Sequence, residues 1–209
     1  QRLLHQERGR LVRELDGLRQ EALTSQSRLE GTLPRSYRQA ISAVMRWSEE
    51  HGLQDRIRGP LLTHIQVAPA FRAAVESFAG MSLFNVLALD DDVAAQAVKL
   101  VRTKRLGAVV VTPLSQLRVR ELSFPEIEGV KPLVEVVKCP DWAFPAVQQI
   151  FGRAVVCSSM RLCEEVARSH GIDTISLEGD RVSRRGVVTG GYQDPQRLVR
   201  LPLAEAILA

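Results

Sequence analysis

The chain is poor in the groups from which catalysis and covalent cross-linking are built. Of its 209 residues only three are cysteines, Cys139, Cys157 and Cys163. They form no Cys-x-x-Cys pair and their number is odd, which argues against a disulfide framework or a zinc module and fits reduced thiols in a cytosolic or nuclear setting. The four histidines, His5, His51, His64 and His170, stand singly and suggest no ligand set. No Gly-x-x-x-x-Gly-Lys-Ser/Thr, Gly-x-Ser-x-Gly or His-Glu-x-x-His sequence occurs, so the chain encodes no P-loop, nucleophile elbow or zincin helix. No apolar run approaches the length needed to cross a bilayer, and no membrane partner is expected. Charge of one sign is also scarce in excess: 28 Lys and Arg against 24 Asp and Glu give a net +4. That balance permits contact with nucleic acid without requiring it.

What is present is ordinary globular material, 45% hydrophobic and 25% charged, enough for one large or two small domains. The opening, Gln1-Arg2-Leu3-Leu4-His5, lacks an initiator Met and is no signal peptide; it reads as a piece of something longer. Leu4, Leu11 and Leu18 recur every seven positions with Ser25 next in line, and Arg8, Leu15, Ala22 and Leu29 form a second row four residues on. With the first row at d and the second at a, Glu7, Glu14 and Glu21 fall at g, the pattern of a coiled-coil seam that needs a partner helix. The alternative is a surface helix packed on its own domain, and Arg8, Gly9, Gly17 and Ser25 weaken the seam. After a break at Gly31-Thr32-Leu33-Pro34, a second helix is expected with Tyr37, Ile41, Val44, Met45 and Ser48 on one stripe, ending at Gly52. Residues 56–60 then read as a turn into a globular region.

That region contains an echo. Ala74-Val75-x-x-x-x-Gly80 recurs 72 residues on as Ala146-Val147-x-x-x-x-Gly152. Each copy is followed by an apolar strand candidate (83–89 and 154–157), a helical run (93–104 and 160–169), a glycine (Gly107 and Gly171) and a second strand (108–112 and 174–177). Two tandem helix–strand–helix–strand modules of mixed α/β class follow from this order. Residues 117–132 between them read as a linker or edge excursion. Asp90-Asp91-Asp92, just ahead of a helix, suits N-cap and dipole duty better than cation binding. Cys139 has no base arranged near it in sequence, and the polar inventory holds no catalytic constellation. The tail after Asp194 is apolar and helix-prone, but Pro202 argues against one unbroken helix.

The segment 178–192 closes the second module. Glu178-Gly179-Asp180 has the chemistry of a tight turn, Arg181–Val182 and the residue after can run as a strand, Gly186 permits a bend, and Val187-Val188-Thr189 is β-prone. Gly190-Gly191 leaves room for another backbone. Two readings stand level: an edge open to strand addition by a partner chain, or a hairpin closing on its own module.

Glu178-Gly179-Asp180-x-x-Ser183-x-x-Gly186-x-x-Thr189-Gly190-Gly191-Tyr192 resembles the closing motif of structural maintenance of chromosomes (SMC) hinge domains, most of all the SMC-three type of cohesin. Phe71, Ala73-Ala74-Val75-Glu76, Leu83-Phe84, Thr112-Pro113-Leu114-Ser115-Gln116-Leu117, the run 151–157 and the run 172–177 are similar too. The resemblance implies two like subdomains (53–129 and 130–192) forming a half-ring hinge, with 1–52 and 193–209 as stubs of outgoing and returning coiled-coil arms. It implies pairing with an SMC-one type hinge through Gly186, Thr189, Gly190 and Gly191, the second subdomain of one hinge meeting the first of the other; a self-pairing hinge is the alternative. It further implies no catalytic activity or cofactor in this segment, ATP and magnesium belonging to head domains elsewhere, and a place on nuclear chromosomes. Placing Glu at Gly190 and Gly191 is expected to abolish pairing and leave the monomer folded. Lys99, Arg102, Lys104 and Arg105, with Arg181, Arg184 and Arg185, are candidates for a weak, secondary contact with DNA, or else solvated charge at a helix end.

Overall fold

The computed structural model describes residues 2–118, 123–191 and 200–208. Helix α1 (Arg2–Gly31) is one rod of 30 residues, and α2 (Arg35–Glu50) buries Ala40, Val44 and Ser48 on the expected stripe. His51 caps α2, its Nδ1 2.9 Å from the Trp47 carbonyl. Residues 57–60, expected as a turn, are instead strand β1 (Ile57–Pro60), in which a register shift at the buried Gly59 (φ +91°) absorbs the bend. The chain continues through β2 (Gln66–Val67), α3 (Arg72–Ala79), β3 (Val86–Ala88), α4 (Asp91–Thr103) and β4 (Val111–Pro113). It then repeats that order as β5 (Val130–Pro132), β6 (Val137–Lys138), α5 (Phe144–Phe151), β7 (Ala154–Cys157), α6 (Met160–His170) and β8 (Asp173–Ser176). A hairpin, β9 (Arg181–Val182) and β10 (Val188–Thr189), and a last helix, α7 (Arg200–Leu208), complete it.

The repeat is structural in detail. β1 runs antiparallel to β3 and β3 parallel to β4, while β5 runs antiparallel to β7 and β7 parallel to β8. Each central strand, β3 or β7, is wholly buried, as its apolar sequence demands, and each is shorter than or equal to its apolar run because a 3₁₀ turn (Gly80–Phe84) takes the start of the first. The helices after the central strands begin with matching caps: Asp90 accepts the Val93 N–H at 3.0 Å, and Ser159 that of Leu162 at 3.4 Å. Within 117–132, residues 119–122 lie outside the described set; Phe124, Ile127 and Val130 are not linker but packing against α6 and β7.

The two modules meet about a local two-fold. β2 pairs antiparallel with β6, Gln66 opposite Lys138 and Val67 opposite Val137, the valines inward. Each module's first strand sends a cation onto an aromatic ring of the other: Arg58 lies 5.4 Å from the Trp142 ring and Lys131 6.0 Å from that of Phe71. His64 packs edge-on against Trp142 at 4.8 Å and donates from Nε2 to the Arg58 carbonyl at 2.6 Å; burial is the main cause that lowers its pKa. Beneath this pair lies one apolar core shared by both modules, with Leu61, Val75, Leu83, Leu133, Val147 and Phe151 all fully buried. Separate cores sit under α4 and under α6.

Candidate pairing interface

Both readings of the closing segment hold at once. β9 pairs with β8, and β10 with β9, so the segment closes on its own module, and β10 thereby becomes the outer strand of a five-stranded sheet. Ser183 and Val187 exchange the closing hydrogen bond of a five-residue turn whose last position before Val187, Gly186, sits at φ +80°; glycine there supplies the left-handed step of a bulged hairpin. Arg184 and Arg185 occupy the exposed tip, and the Arg184 N–H donates to Asp173 at 2.9 Å. Beyond the tip, Val187, which ends the turn, and Val188, which opens β10, are 62% and 54% exposed, an unusual fate for valines at a strand.

Among the described residues the first module has no such hairpin. Its sheet ends at β4, the counterpart of β8, and among the described residues no strand covers β4's outer side. Val110 beside it is 47% exposed. Two grooves flank this edge: one of about 610 Å³, walled by Phe78, Thr112, Gln116 and Gln149, and one of about 700 Å³, walled by Ala94, Val98, Lys99 and Arg102. The β4 and β10 edges therefore each offer unpaired backbone beside exposed apolar side chains.

Gly186, Thr189, Gly190 and Gly191 lie together on the hairpin, where Thr189, Gly190 and Gly191 line a groove of about 380 Å³ with Ser77 and Arg181. Asp180, which sequence reasoning treated only as turn chemistry, shapes this end of β10: its Oδ1 accepts the Gly191 N–H at 3.1 Å, and a Cβ at Gly190 would run into its carboxylate. Gly191 holds φ +144°. Glu at both positions would displace the Asp180 carboxylate and break its bond to Gly191, so that pair of substitutions changes an intrachain contact as well as the exposed edge.

The candidate phosphate contacts fall into two groups on different modules. Lys99 and Arg102 lie on the exposed face of α4; Lys104 caps it, and Arg105 follows with φ +53°. Arg184 and Arg185 are exposed, whereas Arg181 is engaged, its guanidinium 4.5 Å from the Phe78 ring and 3.5 Å from Asp173. Among the described residues no group of three or more His, Cys, Asp and Glu side chains is placed to hold a metal, and Asp90 serves as the expected N-cap while Arg56 grips it at 2.7 Å. Cys157 and Cys163 face each other inside the second module, and Cys139 is pushed up in pKa by burial and by Asp141.

The rod α1 and the tail meet at the body. Leu29 of the a row is buried with Leu201, Leu203 and Ala204 of α7, and Ala22 and Ser25 are half-buried on the same face. Farther out, beyond this described packing, Leu11, Leu15 and Leu18 continue the seam and stand exposed. Residues 192–199 lie outside the described set; from Arg200 on, α7 runs through Pro202, which falls in the first described turn, where a missing N–H is tolerated near a helix start. The N–H groups of Arg200 and Leu201 just before it go to the Glu76 carboxylate at 3.3 and 2.8 Å.

Residues 54–167 match the family described as the SMC proteins flexible hinge domain. The chain is 29% identical, over 93% of its length, to the urease accessory protein 2 of Cryptococcus neoformans var. grubii, and 31% identical, over 81%, to the structural maintenance of chromosomes protein 3 of Arabidopsis thaliana. It spans 16% and 14% of those two relatives. A solved structure, the folded elbow of cohesin, superposes with a TM-score of 0.85 at 25% identity over 99% of this chain and 30% of that one. An asymmetric dimer of the Geobacillus stearothermophilus SMC hinge domain shares the fold, with a TM-score of 0.63 at 22% identity over 93% of this chain and 90% of that one.

Proposed function

Because the chain belongs to the SMC flexible hinge family, we propose that it is the pairing hinge of a cohesin-type SMC subunit, which joins an SMC-one type hinge to close a ring around chromosomal DNA. The observation that carries this reading is the mismatch of the two sheet edges: β4 is uncovered and β10 is exposed. In the proposed pair the two hinges meet about a pseudo-two-fold, β10 of each lying along the partner strand that corresponds to β4, so that both edges are satisfied in one closed pair. Residues 53–129 and 130–192 are then the two halves of the hinge, with 1–52 and 193–209 belonging to the arms. The exposed seam of Leu11, Leu15 and Leu18 is the surface on which more of a returning arm would pack. A hinge is a structural, non-catalytic domain; ATP chemistry, nuclear localisation and the cohesion of sister chromatids belong to the longer protein.

Molar mass by light scattering, for the chain alone and mixed with an SMC-one type hinge, tests this. Conversion of a monomer or weak dimer into a tight one-to-one complex is the expected result. A tight homodimer that ignores the added hinge would replace the reading with a self-pairing SMC hinge. A monomer that stays monomeric in the mixture would overturn the interface.

A second, weaker reading rests on the exposed Lys99, Arg102, Lys104, Arg105, Arg184 and Arg185: direct contact with DNA phosphates as a secondary role. Binding titrated at two salt concentrations decides it, because each neutralised phosphate steepens the dependence by about 0.9 in log–log slope; a flat response removes it.

A further inference from the structure

Three consecutive residues of α3 hold two separate parts of the molecule, α7 and the segment entering β9. Glu76, 3% exposed, takes the first N–H groups of α7. Ser77 donates its hydroxyl to the Gly179 carbonyl at 2.7 Å, and Phe78 carries the Arg181 guanidinium on its ring. Gly179, at φ +96°, lets the turn before β9 sit directly on the helix: a Cβ there would stand 3.1 Å from that of Ser77 and 3.3 Å from the Ala73 carbonyl. The next residue is Asp180, whose carboxylate fixes Gly191 and presses on Gly190. One continuous line, Glu76–Ser77–Gly179–Asp180–Gly191, thus joins the root of α7 to the end of the exposed strand β10.

We propose that this line couples the seating of the arm helix to the shape of the pairing edge, so that α7 and β10 set one another's stability. The inference rests on the pairing reading only for its biological use. A buried carboxylate is tolerated while the donors of α7 satisfy it; when α7 lifts away, Glu76 is left unpaired and must reach water. α3 is only eight residues long, so hydrating Glu76 displaces Ser77 and Phe78 with it, and the turn at Gly179 loses its seat. Linkage makes the effect reciprocal: whatever loosens Asp180 from the glycine pair loosens α7. Arg200 reinforces the near end, donating to the Gly80 carbonyl at 3.4 Å with its guanidinium 5.4 Å from the Phe84 ring.

Amide exchange of the whole chain, followed residue by residue, tests this without any partner. Glu76→Gln is expected to speed exchange at Leu201 and also at Gly191, each by at least about fivefold, and Asp180→Asn to do the same at both ends. Ser77→Ala, a milder change in the middle, is expected to move both ends in the same direction should Glu76→Gln fold poorly. Asp90→Ala, which uncaps α4 over the separate core of the first module, is the control, and is expected to leave the two amides near their native rates. Acceleration confined to the end that was mutated, or reproduced in full by Asp90→Ala, would overturn the coupling. Failure to bind an SMC-one type hinge would leave this result standing.

Discussion

Two carboxylates in this fold do the same local job with opposite electrostatic consequences. Asp90 and Glu76 each accept backbone N–H groups at the start of a helix, α4 and α7. Asp90 is open to water and held by Val93 N–H and Arg56, so its pKa lies below the ordinary value. Its stabilisation is present above the unfolded pKa and is lost as pH falls through the depressed folded one; Asp90→Ala is therefore expected to lower the urea midpoint at pH 7 and to lose this difference in acid. Glu76 is raised instead, because burial outweighs the N–H groups of Leu201 and Arg200 and the charge of Arg200. A raised acid favours folding below its unfolded pKa and gives that up as pH rises through the folded value. Stability profiles of native chain and Glu76→Gln are thus expected to diverge over that interval, with the native chain falling more steeply. Arg105 is a different kind of exception, an L-residue at φ +53° where a helix end usually holds glycine. Arg105→Gly is expected to raise unfolding stability by about 1 kcal/mol, read as a higher urea midpoint.

At the scale of elements, the edges make the sharpest predictions. Val188→Glu on β10 and Val110→Glu by β4 replace exposed apolar surface, so each is expected to leave the monomer's melting temperature unchanged and weaken pairing with an SMC-one type hinge by about tenfold or more, since a charge would be buried unpaired. They are cleaner probes than the glycine pair, which Asp180 already occupies. The repeat was legible because the apolar runs and helix signals recur in one order, and the N-caps because Asp and Ser stand where caps stand. β1 was missed because Arg58-Gly59-Pro60 has turn chemistry, and only pairing with β3 makes it a strand. The start of the run 83–89 misled in the other direction, being apolar for burial but wound as a 3₁₀ turn. The resemblance pointed to the first subdomain as the partner's landing place, but β4 as its proposed edge could not be read from the residues: that an edge is uncovered is a property of the sheet, and no residue in 111–113 announces it. Glu76 gave no signal either, since its partners lie more than a hundred residues away in the chain.

At the scale of the molecule, α1 and α7 share one core with the two modules, with Leu29 and Leu201 packed beside residues of both. Leu15→Asp, out on the exposed seam, is accordingly expected to change the stability of this chain by less than about 0.5 kcal/mol, checked by thermal melting, and to tell strongly only where a longer returning helix lies against it. The seam's phase runs unbroken from the buried Leu29 to the exposed Leu11, so the rod leaves the body in a direction fixed at its root. A helix rises about 1.5 Å per residue, so the rod from Leu29 to Arg2 is roughly 40 Å long, and one degree of rotation at the root sweeps its far end through about 0.7 Å. α1 is therefore an angular amplifier: sub-ångström repacking around Leu29 becomes travel visible at the tip, and a load applied at the tip returns to the body as torque on a handful of buried side chains.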